Sequence, residues 1–277
     1  MYEGVFSPIP DPGAYLARIG LEPDDYRKAL HPELPDSPSA FSARHSKDAL
    51  DVLVRAHLMS VPFEDLDIYE LGREVSLEIC DVFDKSVGRR RGGFCFELNG
   101  LFCALLEALG FECRAIAVRV LFEGEFPPIG HRSTIVTLAD GKRVVCDVGF
   151  GGPTPLGALY LDCADVQHSG RLAFRYEKRP DGLYKFTYIQ RDGAEMPLHL
   201  FVALGVYMSR GDNARFRNER VLNILRENGS AAIQDDTLRL HNDGVLTEIE
   251  LKTAAERKAA YIKYFGMPEE SLTELPG

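Results

Sequence analysis

The sequence predicts a mixed α+β protein, and three observations carry that prediction. Apolar residues recur with helical spacing through the first 85 or so positions and again from Leu98. β-Branched runs separated by Gly, Pro and Asp fill the middle of the chain, and a stretch rich in Ala, Lys and Glu near residues 254–264 returns to helix. In order along the chain, Leu50, Leu53, Val54, His57 and Leu58 form one helical face behind a Ser46 cap, and Pro62 closes it. The preceding segment His31–Pro38 holds three prolines and is a loop. From Leu98, the residues Leu101, Phe102, Leu105, Leu106 and Leu109 repeat at i, i+3, i+4 and i+7, and Gly110 supplies the stop. Strands are expected over 114–122, 133–138, 143–148, 172–176 and 184–190. The chain then mixes short segments before the final helix.

The run Arg91-Gly92-Gly93-Phe94-Cys95-Phe96-Glu97-Leu98-Asn99 sets Cys95 in the first turn of the second of these helices. Unpaired backbone N–H groups and the positive end of the helix dipole favour thiolate there, and thiolate is the nucleophilic form. Gly92 and Gly93 are expected to supply backbone conformations closed to other residues. A nucleophilic sulfur needs a base, and the base needs an orienting partner. His131 opens the 133–138 strand, and Asp147 lies near the outer end of the 143–148 strand, so a hairpin could bring the two together. An ionised Asp147 within so apolar a strand also demands a partner.

The hairpin register matters. A two-residue Asp140-Gly141 loop would set Asp147 opposite Thr134 and turn His131 to the other face of the ribbon. A three-residue Ala139-Asp140-Gly141 loop with Gly141 left-handed sets Asp147 opposite Ser133 and returns His131 to the same face. A His131–Asp147 pair therefore requires an odd loop or a bulge.

The Arg91–Asn99 run, His131 opening a strand, and Asp147-Val148-Gly149-Phe150-Gly151 together closely resemble the arylamine N-acetyltransferases. Tyr15-Leu16-Ala17-Arg18-Ile19-Gly20 and Val61-Pro62-Phe63-Glu64-Asp65-Leu66-Asp67 add to the resemblance, which covers about the first 155 residues. It implies an N-terminal helical bundle, a central β-barrel and a C-terminal α/β lid around a cysteine-protease-like catalytic core, divided here as 1–85, 86–190 and 191–277. It also implies transfer of an acetyl group from acetyl-CoA to an arylamine, arylhydrazine or N-hydroxyarylamine by a ping-pong route, with Cys95, His131 and Asp147 as the triad. Acceptor contacts are expected from Phe63, Phe94, Gly149, Phe150 and Phe216, and coenzyme contacts from Arg91, Gly130 and Arg215. The last third departs from the family pattern: it reads Tyr207-Met208-Ser209-Arg210-Gly211-Asp212-Asn213-Ala214-Arg215-Phe216 where relatives commonly carry a Ser-Thr-His-Pro-like stretch and then Phe.

Composition narrows the alternatives. With 42 acidic against 32 basic residues, the net charge of −10 argues against nucleic acid and requires a local basic patch for an anionic coenzyme. Arg210, Arg215, Arg217 and Arg220 could form that patch, or could be solvated helix charges; Arg91 could meet the donor or brace the fold. Six cysteines without a C-x-x-C spacing give neither a disulfide framework nor a metal site, so Cys80, Cys103, Cys113, Cys146 and Cys163 are expected as small buried hydrophobes. No segment reads as a membrane span or a signal peptide, so cytoplasmic residence is expected; the sequence leaves the oligomeric state open. A cysteine hydrolase or amide synthase could use the same triad. A non-enzymatic relative is disfavoured by the intact set.

Overall fold

The computed structural model describes residues 3–31, 46–121, 129–190, 195–201 and 218–276, with the backbone alone at Lys28 and over 195–201. Seven helices are described: α1 (Pro12–Arg18), α2 (Arg27–Leu30), α3 (Lys47–Ser60), α4 (Leu66–Tyr69), α5 (Ile79–Phe83), α6 (Cys95–Ala108) and α7 (Ala254–Phe265). Each longer one starts where local chemistry allows. The Asp11 carboxylate accepts the Ala14 N–H (2.9 Å) at α1, and Ser46 Oγ accepts the Ala49 N–H (3.2 Å) at α3. Thr253 and Glu256 form a reciprocal capping box at α7, which ends on left-handed Gly266. Helix α6 is buried on nearly every side, as befits an element at the centre of a domain. None of the described helices is long and apolar enough to cross a membrane.

Among the described residues, thirteen strands form two antiparallel sheets: β1 (Phe63–Glu64), β2 (Glu112–Val120), β3 (His131–Thr137), β4 (Arg143–Cys146), β5 (Leu159–Tyr160), β6 (Gln167–Ser169), β7 (Leu172–Lys178), β8 (Tyr184–Ile189), β9 (Glu195–Phe201), β10 (Val221–Arg226), β11 (Gly229–Gln234), β12 (Thr237–Asn242) and β13 (Val245–Glu250). The larger sheet runs β5-β4-β3-β2-β9-β8-β7-β6, and the smaller runs β1-β10-β11-β12-β13. The mixed α+β class is as the sequence predicts. Among the described residues the expected closed barrel is not found, because the backbone ladder of the larger sheet ends at β5 and β6. These edge strands are only two and three residues long, and a side chain joins them instead. The Gln167 carboxamide accepts the Tyr160 N–H (2.7 Å) and donates to the Tyr160 carbonyl (2.8 Å).

One core joins α1, α3 and α6 to the inner faces of β3 and β4, with Tyr15, Leu50, Leu53, Leu101 and Phe102 fully buried. A second packs α7 on β10–β12, and a third lies along the larger sheet with Phe174, Tyr176 and Phe186. Short β1 lies among the N-terminal helices yet pairs with β10, so the last third of the chain is stitched to the first by backbone hydrogen bonds.

Candidate active site

Helix α6 begins at Cys95, with Phe94 extended just before it. The turn that delivers the helix is fixed by the backbone of β1: Glu64 N–H donates to the Gly93 carbonyl (2.9 Å) and Gly93 N–H to the Pro62 carbonyl (3.3 Å). Neither Gly92 nor Gly93 has a positive φ; in this turn that conformation falls to Arg90 (φ 54°). The glycines serve close approach instead, since a Cβ on Gly92 would lie 1.9 Å from the Pro62 carbonyl oxygen.

The β3–β4 hairpin has the odd loop that the pairing requires. Leu138 N–H donates to the Lys142 carbonyl (2.8 Å), Gly141 is left-handed (φ 79°), and Thr134 faces Cys146. Continuing that register one residue past the end of β4 sets Asp147 opposite Ser133. His131 then reaches Asp147, with Nε2 2.5 Å from Oδ2. Because Nε2 faces a carboxylate it carries the proton, and Nδ1 is the nitrogen left for the Cys95 sulfur, the ring's other polar neighbour. Burial opposes a charge on His131, but the Asp147 carboxylate and the Cys95 sulfur outweigh it and raise its pKa to about 10. The imidazole is thus a cation at neutral pH, held against the Asp147 carboxylate.

Asn99, one helical turn beyond Cys95, aligns the acid. Its Nδ2 donates to Asp147 Oδ1 (3.0 Å) and to the Arg132 carbonyl (2.6 Å), and its Oδ1 accepts the Val148 N–H (3.0 Å). Gly149 N–H donates to the same Asp147 Oδ1 (3.0 Å). The i, i+4 spacing of Asn99 from Cys95 is visible in the chain, whereas its partners leave no local signal.

Beneath the turn lies a buried ion cluster. Arg91 makes a bidentate pair with Glu64 (3.0 and 3.0 Å) and reaches Asp67 (3.1 Å), while Lys85 meets Asp67 (2.7 Å) and Glu97 (2.9 Å). Glu97 also accepts the Phe94 N–H (2.9 Å), which ties the cluster to the helix start. Burial disfavours the charge on Glu64, yet Arg91 and Lys85 hold its pKa below the ordinary carboxylate value. Arg91, expected at the coenzyme, is instead 4% exposed and spent on these carboxylates, a correction its neighbours explain. Arg220 is likewise buried, bound to Glu70 (2.7 Å), Asp236 (2.9 Å) and the Asp235 carbonyl (2.6 Å) rather than offered to an anion. Arg210, Arg215, Phe216 and Arg217 lie outside the described residues.

The other expected contacts divide. The Gly130 carbonyl is 3.7 Å from Cys95 Sγ, and the Phe150 ring stands edge-on to His131 (centroids 5.5 Å apart, 79°). Gly149 touches the nucleophile's backbone, since a Cβ there would lie 3.0 Å from Cys95 Cα. Phe63 and Phe94 are buried, Phe63 against Gly151 and Phe94 against Phe96. A small pocket opens beside Asp147 and Phe150, walled by Ser133, Thr154, Tyr176 and Phe186. Of the cysteines expected inside, Cys103 and Cys146 are buried, Cys113 and Cys163 are half-buried, and Cys80 is exposed. Cys103, Glu107 and Cys113 bring two sulfurs and a carboxylate oxygen within 4.8 Å of one another, the one such group among the described residues.

This arrangement can form a thiolate, attack an acyl carbon and move one proton in each direction. Comparison with known proteins agrees. Residues 47–271 match the profile of a family described as N-acetyltransferase. The arylamine N-acetyltransferase of Mycolicibacterium smegmatis is 30% identical, across 93% of this chain and 92% of that protein. Its solved structure superposes with a TM-score of 0.80 at 29% identity, covering 96% of this chain and 95% of the other. The Mycobacterium marinum arylamine N-acetyltransferase, solved in complex with CoA, gives 0.78 at 26% identity, covering 95% and 97%.

Proposed function

Since this chain belongs to the arylamine N-acetyltransferase family, we propose that it carries an acetyl group from acetyl-CoA to an arylamine, arylhydrazine or N-hydroxyarylamine through an acyl-Cys95 intermediate. The observation that carries this reading is the meeting of Cys95 at a helix start with a His131 whose far nitrogen is 2.5 Å from Asp147. The CoA complex of the Mycobacterium marinum relative supports the donor.

In the first half-reaction the Cys95 thiolate attacks the thioester carbonyl, the carbon–sulfur bond to CoA breaks, and the CoA thiolate takes its proton from the His131 imidazolium. One thiol ester replaces another, so the step is close to balanced. Backbone N–H groups at the start of α6 would stabilise the tetrahedral oxyanion. In the second half the amine nitrogen attacks the acyl-enzyme, His131 accepts its proton, and Cys95 departs as thiolate. Arylamines and hydrazines suit this route because they are unprotonated at neutral pH, whereas an alkylamine is mostly a cation. Phe150, edge-on to His131, is the aromatic surface best set to meet the acceptor ring. A reduced thiol is needed throughout, in keeping with a cytoplasmic site. We read α6 with β2–β4 as a cysteine-protease-like catalytic core, and the C-terminal sheet with α7 as its lid, with borders near residues 85 and 190.

Intact mass spectrometry tests this. Mixing with acetyl-CoA should add one acetyl group per chain, discharged on adding an arylamine, and Cys95→Ser should stay unmodified. Continued release of CoA beyond one equivalent per chain without any amine would instead identify a hydrolase.

A further inference from the structure

Helix α6 carries a second line of chemistry. Cys95, Asn99, Cys103 and Glu107 recur every fourth residue, so they form one stripe along the helix. Eight residues, about 12 Å of helix, separate the nucleophile from Cys103. There the Cys103 sulfur lies 3.7 Å from that of Cys113, the second residue of β2, and Cys113 Sγ also approaches the Cys103 carbonyl (3.6 Å). The turn between them is fixed by its backbone: Gly110 N–H donates to Glu107 (2.9 Å) and Phe111 N–H to Leu106 (2.9 Å). The two sulfurs are therefore held as neighbours by secondary structure, although α6 and β2 are different elements.

We propose that Cys103 and Cys113 form a reversible oxidation site, which a peroxide converts to a disulfide at the far end of the helix that carries Cys95. The sulfurs must close to about 2.05 Å, a side-chain movement rather than a refolding. Cys113 is half-buried and Glu107 exposed, so a molecule as small as hydrogen peroxide can reach the pair. The Glu107 carboxylate opposes a thiolate at either sulfur, and a cation beside Cys103 offsets it. The Arg132 guanidinium contacts Cys103, opposing a second cation there and stabilising the anion, and either sulfur can donate in the hydrogen bond between Cys103 and Cys113. Cys103 is held below the ordinary thiol pKa, first by that bond with Cys113, and Cys113 is raised.

The chemistry balances. Cys103 thiolate attacks a peroxide oxygen, the O–O bond breaks, and hydroxide leaves, giving a sulfenic acid. Cys113 then loses its proton and attacks the Cys103 sulfur; the S–O bond breaks, and the second hydroxide leaves as water. The two thiols lose two electrons and two protons, and the peroxide becomes two waters. The change reaches the triad because Arg132, whose guanidinium contacts the Cys103 sulfur, presents the carbonyl that holds Asn99 Nδ2 (2.6 Å), and Asn99 holds Asp147. Disulfide formation should therefore lower acyl transfer several-fold.

Trypsin alone leaves Cys95, Cys103 and Cys113 in one peptide, Gly92–Arg114, whereas cleavage after glutamates as well separates them at Glu97, Glu107 and Glu112. The full-length protein, treated with hydrogen peroxide, alkylated and digested without reductant, should give peptides 98–107 and 113–114 joined and lighter by two hydrogens. Dithiothreitol should separate them. Activity lost to peroxide should be several-fold greater in the wild type than in Cys113→Ser, which retains Cys95 as an internal control, and that excess should return with dithiothreitol. Recovery of Cys103 and Cys113 singly alkylated, at a peroxide dose that oxidises Cys95, would overturn the site. A cross-link with activity equal to that of treated Cys113→Ser would overturn its coupling to the triad.

Discussion

The state of one imidazole decides how the site works. Burial acts against a charge on His131, and Asp147 together with the Cys95 sulfur reverses that balance, so that His131 titrates near 10 instead of 6.5. The stabilisation from this raised value is present in full below about pH 6.5 and is lost as pH climbs through about 10. Stability should therefore fall on the alkaline side, and NMR titration of the His131 ring should give a midpoint near 10. In Asp147→Asn, burial faces only the sulfur, so the midpoint should drop well below that value, with a large loss of turnover; an unmoved midpoint would contradict this electrostatic account. Cys95, His131 and Asp147 were legible because reactive side chains sat at a helix start and at strand ends. Asn99 stood in the same motif, but its role was not legible, since its partners lie 33 and 48 residues away. Arg91 misled for the complementary reason: a guanidinium advertises an anion without saying whether that anion is a ligand or Glu64.

At the scale of elements, parity carried the most information. Side chains alternate along a strand, so a shared face for His131 and Asp147 requires a loop of odd length, and the Gly141 turn meets that demand. Barrel closure had no such handle, because the outcome turns on two edge strands too short to leave a period in the sequence. The turn into α6 shows another limit. Two glycines marked it, but the reason for Gly92 is the Pro62 carbonyl, a contact made by a distant segment. Gly92→Ala must displace one of the two backbones, and overpacking of this kind costs roughly 1–3 kcal/mol. Slower alkylation of Cys95 by iodoacetamide and a lower denaturation midpoint should accompany it. A variant with both unchanged would show that the turn has room to spare.

For the molecule as a whole, the buried cluster of Lys85, Arg91, Glu64, Asp67 and Glu97 joins β1, α4 and α6 to the segment 84–91 that follows α5, through charge as well as packing. Removing one partner strands the others, so Lys85→Met should destabilise the fold by roughly 3–5 kcal/mol, measured by urea unfolding; a change within about 0.5 kcal/mol, the range of a surface substitution, would show that the cluster is solvated. Such a cluster makes the catalytic turn part of the stability of the chain, not an ornament on it. The glutamine between β5 and β6 acts in the opposite sense, on what the molecule offers to others. An unpaired strand edge is a template for association between chains. Gln167 occupies both backbone groups of Tyr160 with its own amide, so a would-be neighbour finds that stretch of edge already taken. Gln167→Ala should leave the triad untouched yet make concentrated solutions scatter light sooner on warming, because solubility here depends on a single carboxamide posing as a strand.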